Sequence, residues 1–173
     1  MRRKTRGLRK GVETMFEKEE SIVKSLTERF KSLEGKCEIT RARRIFVSAP
    51  REEITAIADF LKNGLKFGWL CTITGLDAGD DYQLIYHIAN DDGIIVNVRI
   101  NAPKSDPAVE TVSGVYEGCA LYEIEIRNLL GADIRGVPED IRYPLPDGWP
   151  EGEHPLRKDW KGELPEIKQE GEC

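Results

Sequence analysis

Apolar side chains recur along the chain in two rhythms, one of three to four residues and one of two, and their order predicts the architecture. Ile22, Val23, Leu26, Phe30 and Leu33 return at helical steps within residues 16–33, with Glu, Lys and Arg on the other face. This predicts a helix that stops at Gly35. Residues 37–48, closing on Ile45-Phe46-Val47, predict one strand. Pro50 with acids just after it marks a helix start, and Ile54, Ile57, Ala58 and Leu61 form its buried stripe before Gly64. The rhythm then changes to two. Residues 69–74 predict a strand, with a loop over 77–81. Tyr82, Leu84, Tyr86 and Ile88 alternate in the next strand, and Asn90–Gly93 reads as a tight hairpin. Ile94, Val96, Val98 and Ile100 alternate in the strand after it. Residues 101–110 read as a loop. Val112, Val115, Tyr116, Cys119, Tyr122, Ile126 and Leu130 then predict a helix over 111–130, capped by Gly131.

The order α-β-α-β-β-β-α with local hairpins predicts an α+β fold, a mainly antiparallel sheet with helices on one face. The pattern lapses near residue 144, where 144–173 carry five prolines and four glycines. That stretch nevertheless keeps Trp149, Trp160, Leu145 and Leu156, and disordered segments are poor in such residues. An extended irregular strap that buries its aromatics is expected, against its own domain or against a partner. The sequence thus divides into a basic N-terminal arm (1–15), an α+β domain (16–143) and a C-terminal strap for partner docking (144–173).

Charge adds one asymmetry. The net charge is −5, yet Arg2, Arg3, Lys4, Arg6, Arg9 and Lys10 crowd the start. Such an arm could touch nucleic acid or anionic lipid, but no aromatic interleaves with it, which weakens the stacking mode of single-strand binding. Apolar runs such as Ile94-Ile95-Val96 fall far short of the roughly 20 residues that cross a bilayer. No apolar stretch follows the basic start, so a signal peptide is not expected, and a cytosolic protein is.

Candidate chemistry is sparse. Cys37, Cys71, Cys119 and Cys173 form no CxxC pair and would stay reduced in a cytosol; Cys37, Cys71 and Cys119 read as packing residues. With only His87 and His154, a histidine metal site is not expected. His87 reads as a half-buried strand residue. No GxGxxG, P-loop or GxSxG motif occurs. Glu123 and Glu125 stand two apart on a helix and cannot act as one acid–base pair. Arg157-Lys158-Asp159 lacks the helix start or glycine nest of a phosphate site. A binding or assembly role outranks an autonomous small enzyme using carboxylate acid–base chemistry. It also outranks a stand-alone nucleic-acid-binding module using the basic arm.

Three segments sharpen that role: Tyr122-Glu-Ile-Glu-Ile-Arg-Asn-Leu-Leu-Gly131, Tyr143-Pro-Leu-Pro-Asp-Gly-Trp149 and His154-Pro-Leu-Arg-Lys-Asp-Trp160. Together they resemble the signature of the C-subunit family of NADH-quinone oxidoreductase. That signature has a helix like E-R-E-x-x-D-L-F-G, a leucine–proline stretch ending in tryptophan, and P-L-R-K-D followed by Tyr or Trp. Pro155–Trp160 matches the last part residue for residue. Ile124, Asn128 and Leu130 depart from the usual Arg, Asp and Phe, and Ala132–Glu139 replaces the family's histidine–proline–aspartate segment. These departures fit the diverged branch of small hydrophilic subunits of membrane-bound, energy-converting nickel–iron hydrogenases and related sulfur-reducing complexes.

The resemblance implies an accessory subunit without a cofactor of its own, held peripherally at the cytoplasmic side of the membrane. Its partners would be the hydrogenase-type large subunit and an iron–sulfur subunit, which hold the nickel–iron site and the clusters. Glu123, Glu125, Arg157, Lys158 and Asp159 would make polar contacts to the partner. Pro146, Trp149, Pro155, Leu156 and Trp160 would anchor the strap. The corresponding small subunit of an NADH-quinone complex is the neighbouring reading.

Overall fold

A five-stranded sheet with all its helices on one face organises the molecule. The computed structural model describes residues 16–162. The elements are α1 (Glu17–Arg29), β1 (Cys37–Arg41), β2 (Arg44–Ser48), α2 (Ile54–Asp59), β3 (Trp69–Asp77), β4 (Asp81–Ala89), β5 (Ile95–Pro103), β6 (Ala108–Glu110), α3 (Ala120–Leu130) and β7 (Asp133–Arg135). The sheet order is β1-β2-β5-β4-β3. All its neighbours are antiparallel except β2 and β5, which are parallel because α2 and the β3–β4 hairpin intervene between them.

The period of two decides which face is covered. Tyr82, Leu84, Tyr86 and Ile88 of β4 stand opposite Ala102, Ile100, Val98 and Val96 of β5, and all eight are buried. Leu26 of α1, Ile54, Ile57 and Ala58 of α2, and Ile124, Ile126 and Leu130 of α3 close over that face in one core. At Gly75 the sheet and α3 come closest: a Cβ there would lie 2.7 Å from Leu130 and 3.1 Å from Ile126. The opposite face carries polar and half-buried residues. On it Asn97 accepts from His87 Nδ1 (2.7 Å), leaving His87 Nε2 to accept from the Thr74 hydroxyl (2.9 Å).

Five boundaries differ from the sequence reading. The helix expected over 16–33 ends at Arg29, because Phe30 turns extended (φ −122°, ψ 99°) before a 3-10 turn at Lys31–Leu33. The strand expected over 37–48 is two strands, because the polar stretch Arg41–Arg44 turns. Arg43 sits at φ +63° and its N–H donates to the buried Glu19 carboxylate (2.6 Å). The strand expected over 69–74 runs on to Asp77. The loop expected over 101–110 contains the end of β5 and all of β6, which pairs in parallel with β7. The helix expected from Thr111 starts only at Ala120, after a short 3-10 turn at Glu117–Cys119. Val112 and Tyr116 are buried at helical spacing, but Tyr116 is extended (φ −119°, ψ 90°). Glu123 supplies the reason: it reaches back to bind the backbone at Val112 and the side chain of Thr111.

Among the cysteines, Cys119 is buried and Cys37 half-buried, whereas Cys71 is exposed and so is not a packing residue. Cys173 and the basic arm lie outside the described residues. Among the described residues no helix is long and apolar enough to cross a membrane.

Gly75→Val would wedge the sheet from α3. It is expected to cost about 1–3 kcal/mol, the usual cost of overpacking, and a thermal melt of the purified protein should fall by several degrees.

Candidate docking surface

The C-terminal stretch is tied to the domain through its backbone. Arg127, near the end of α3, donates to the carbonyls of Pro138 (2.7 Å) and Ile141 (2.8 Å). Asn128 donates to those of Ile141 (3.1 Å) and Tyr143 (2.8 Å). Past the bend, His154 Nδ1 donates to the Asn128 carbonyl (2.8 Å) and the Leu156 N–H to Leu129 (3.0 Å). Gly131 permits this approach. It caps α3 at φ +84°, and a Cβ there would meet the His154 ring at 2.7 Å.

Asp77, at the end of β3, is the clasp. Its side chain is 1% exposed and accepts from Lys104 Nζ (2.8 Å), from the strap's Lys158 N–H (2.9 Å) and from the Gly79 N–H (2.9 Å). Lys104 in turn lies over the Tyr82 ring. The Lys104 ammonium, and then the Lys158 amide, hold the Asp77 carboxyl far below the usual aspartate range. Arg157 grips Asp159 with two nitrogens (2.8 and 2.6 Å), which pulls Asp159 down to about 2.

The residues expected to face a partner separate into two groups. Glu123 points inward: it is fully buried and binds the Thr111 hydroxyl and the Val112 N–H (2.9 Å), while burial raises its pKa. Its polar capacity is spent inside this molecule, because a buried carboxylate needs such donors. Trp149 is 8% exposed, stacks on Trp160 (centroids 6.0 Å apart) and donates to the Glu153 carbonyl (2.9 Å). Arg157 and Asp159 pair with each other.

Leu156 is 57% exposed, although its own N–H is bonded within the molecule. It borders a groove of about 250 Å³ between β3 and α3, lined by Ile73, Gly75, Glu125, Ile126, Leu129 and Leu130. Pro146, Lys158 and Asp159 are exposed, and Glu125, Pro155 and Trp160 are half-buried. Among the described residues no group of three or more His, Cys, Asp or Glu is placed to hold a metal ion.

Sequence reasoning missed Asp77, Lys104, Asn128 and His154 as the strap's holders. Asp77 stands in an acidic turn, and nothing local distinguishes it from a solvated carboxylate.

A sheet with helices on one face, and a tail whose backbone is fastened while apolar side chains stay uncovered, defines a class: an α+β protein that presents a clasped strap. The chain belongs to the respiratory-chain NADH dehydrogenase 30 Kd subunit family, which it matches over residues 47–166. It is 32% identical over 145 residues to the C subunit of F(420)H(2) dehydrogenase from Methanosarcina mazei, and the match spans 82% of this chain and 91% of that one. It is 28% identical over 162 residues to the beta subunit of the membrane-bound hydrogenase from Pyrococcus furiosus, spanning 89% and 93%. Among solved structures it is similar to part of the membrane-bound sulfane sulfur reductase, an archaeal respiratory membrane complex. There the TM-score is 0.75 and the identity 26%, over 84% of this chain and 86% of that one. A fragment of Nqo5 shares the fold (TM-score 0.57, 22% identity, 73% and 99% spanned). The family is thus one of subunits of respiratory membrane oxidoreductases.

Asp77→Ala should release the strap. Hydrogen exchange of the Lys158 amide is expected to quicken about tenfold, as loss of a charge-assisted bond implies. The pH dependence follows from the sign of the shift. Asp77 is depressed in the folded state, so its contribution is complete above the ordinary aspartate value of about 4 and fades as pH falls below it. Urea melts of wild type and Asp77→Ala should differ at pH 7 and converge towards pH 2.

Glu123→Ala strands the Val112 N–H and the Thr111 hydroxyl. It is expected to destabilise the fold by about 1–3 kcal/mol in a denaturant melt.

Proposed function

We propose that this protein is a non-catalytic docking subunit of a membrane-bound oxidoreductase complex of the nickel–iron hydrogenase type. It sits on the cytoplasmic side against the large subunit and binds no cofactor itself; the nickel–iron site and the iron–sulfur clusters belong to partner subunits. The observation that carries this reading is Leu156, more than half exposed beside the groove between β3 and α3, on a strap whose Leu156 and Lys158 amides are already bonded to the domain. Contiguous exposed apolar surface marks contact sites, and Leu156 adjoins Leu129, Ile126 and Ile73 along the groove. The likeness over most of its length to a membrane-bound hydrogenase subunit supports it.

In this reading Glu125, Leu156 and Trp160 meet the large subunit, with Pro146 and Pro155 shaping the strap. Glu123 and Asp77 act within the molecule to present it. A second reading, an F420H2 dehydrogenase-type complex, is favoured by the 32% identity to the C subunit of that enzyme. Both readings assign the reaction to other subunits.

A tagged pull-down from gently solubilised native membranes, with every co-purifying protein identified by mass spectrometry, tests the proposal. A stoichiometric large subunit with iron–sulfur and membrane companions is expected, and its cysteine ligands distinguish the two readings. Recovery of the protein alone, or with nucleic acid, would overturn both. Leu156→Asp is expected to lower recovery of the large subunit about tenfold or more, as loss of an interface anchor does. The melt of the free protein should move little, since exposed substitutions rarely shift stability by more than about 0.5 kcal/mol.

A further inference from the structure

Arg99 lies in the middle of β5 on the face of the sheet that no helix covers, opposite Ser48 of β2 and Ile85 of β4. Its guanidinium lies over the Phe46 ring, 5.4 Å from the centroid. It borders a cleft of about 360 Å³ whose walls include Ser48, Pro50, Asn101 and Pro103. The Arg99 Nε–H is buried and donates to nothing. Arg51 and Glu52 also line the cleft and pair with each other, and Arg51 holds Asp106 besides. Among the described residues, therefore, Arg99 itself forms no ion pair, since Glu52 is engaged by Arg51.

A desolvated donor left unmade is unfavourable, and the guanidinium is the side chain whose planar fork fits a carboxylate. We propose that this cleft receives an aspartate or glutamate side chain from a neighbouring subunit of the complex, with Arg99 as the bidentate anchor and the Ser48 hydroxyl beside it. The site is separate from the strap and lies on the open face of the sheet, giving this protein a second contact. The proposal rests on the docking role argued above. Charge complementarity selects the occupant. Arg99 already rests on Phe46, and a charged partner supplies what no local residue does.

The test uses the full-length protein in the native complex, with a photo-crosslinking benzoylphenylalanine in place of the exposed Asn101. Irradiation is expected to trap a peptide of a neighbouring subunit that contains Asp or Glu. Arg99→Gln should lower that yield about tenfold, and Arg99→Lys, which keeps the charge but not the fork, should lower it less. Ser48→Glu supplies a carboxylate from within and should block the crosslink without lowering the melting temperature, a control should Arg99→Gln fold poorly.

Crosslinks confined to the protein itself or to lipid, or a yield unchanged in Arg99→Gln and Ser48→Glu, would overturn the proposal while the large subunit still co-purifies through the strap. So would a saturable shift of the Arg99 Nε–Hε resonance with inorganic phosphate in the absence of any crosslinked partner. If the unmodified protein retains no partner at all, the docking role fails and this proposal fails with it.

Discussion

The rest of the structure depends on one constraint: the central hairpin of β4 and β5 can bury only one of its faces. Tyr82, Leu84, Tyr86 and Ile88, with Val96, Val98 and Ile100, spend the whole apolar side of the sheet on α1, α2 and α3. Nothing apolar enough remains to fold a second layer on the other side. The polar ladder from Thr74 through His87 to Asn97 satisfies the middle of that open face internally, with Asn97 also donating to the Ile45 carbonyl (3.0 Å). Arg99, one register position further, is left over. The same constraint sends the C-terminal stretch to the edge, because the covered face is full and β3 is the outermost strand.

At that edge, backbone and side chains of the strap are treated differently. Its Leu156 and Lys158 amides meet the Leu129 carbonyl and Asp77, and the His154 ring meets the Asn128 carbonyl, all on the domain. Its side chains form a small assembly of their own, Trp149 on Trp160, and leave Leu156 outside. Burying the two indoles against each other explains how a proline- and glycine-rich stretch can be ordered without regular structure. It contributes the apolar area that such a segment otherwise lacks.

The legible parts of the fold are those written in periodic side chains. The alternation of β4 and β5 and the stripe of α2 are readable because burial repeats with the backbone geometry. The false start of the last helix shows the limit. Val112 and Tyr116 have helical spacing and are buried, but they belong to turns that a single distant side chain, Glu123, holds open. No local pattern encodes that reach. The turn at Ala42–Arg43 is hidden for a related reason: Arg43 adopts a positive φ with Glu19, 24 residues away, accepting its N–H. The C-terminal segment is readable in a different way, since Tyr122–Gly131 and Pro155–Trp160 are contiguous signatures that need no contact information. What they do not convey is orientation. Glu123 and Glu125 look alike in sequence, yet one is a structural ligand of its own backbone and the other lines the groove beside Leu156.

The clasp gives this division of labour an energetic sense under the docking role proposed above. A free strap would lose its conformational freedom at the moment of association, at about 1–2 kcal/mol per residue fixed. Here Asp77, with Lys104 as its counter-ion, has ordered the strap before any partner arrives, and that ordering lowers the cost of binding. The clasp also uses the Lys158 backbone amide and leaves the Lys158 side chain exposed to act elsewhere. A carboxylate that held the side chain would compete with a partner for it; one that holds the backbone does not. Asp77 is ionised at neutral pH as any aspartate is, and its lowered pKa, owed first to Lys104, extends the charged clasp to more acid conditions.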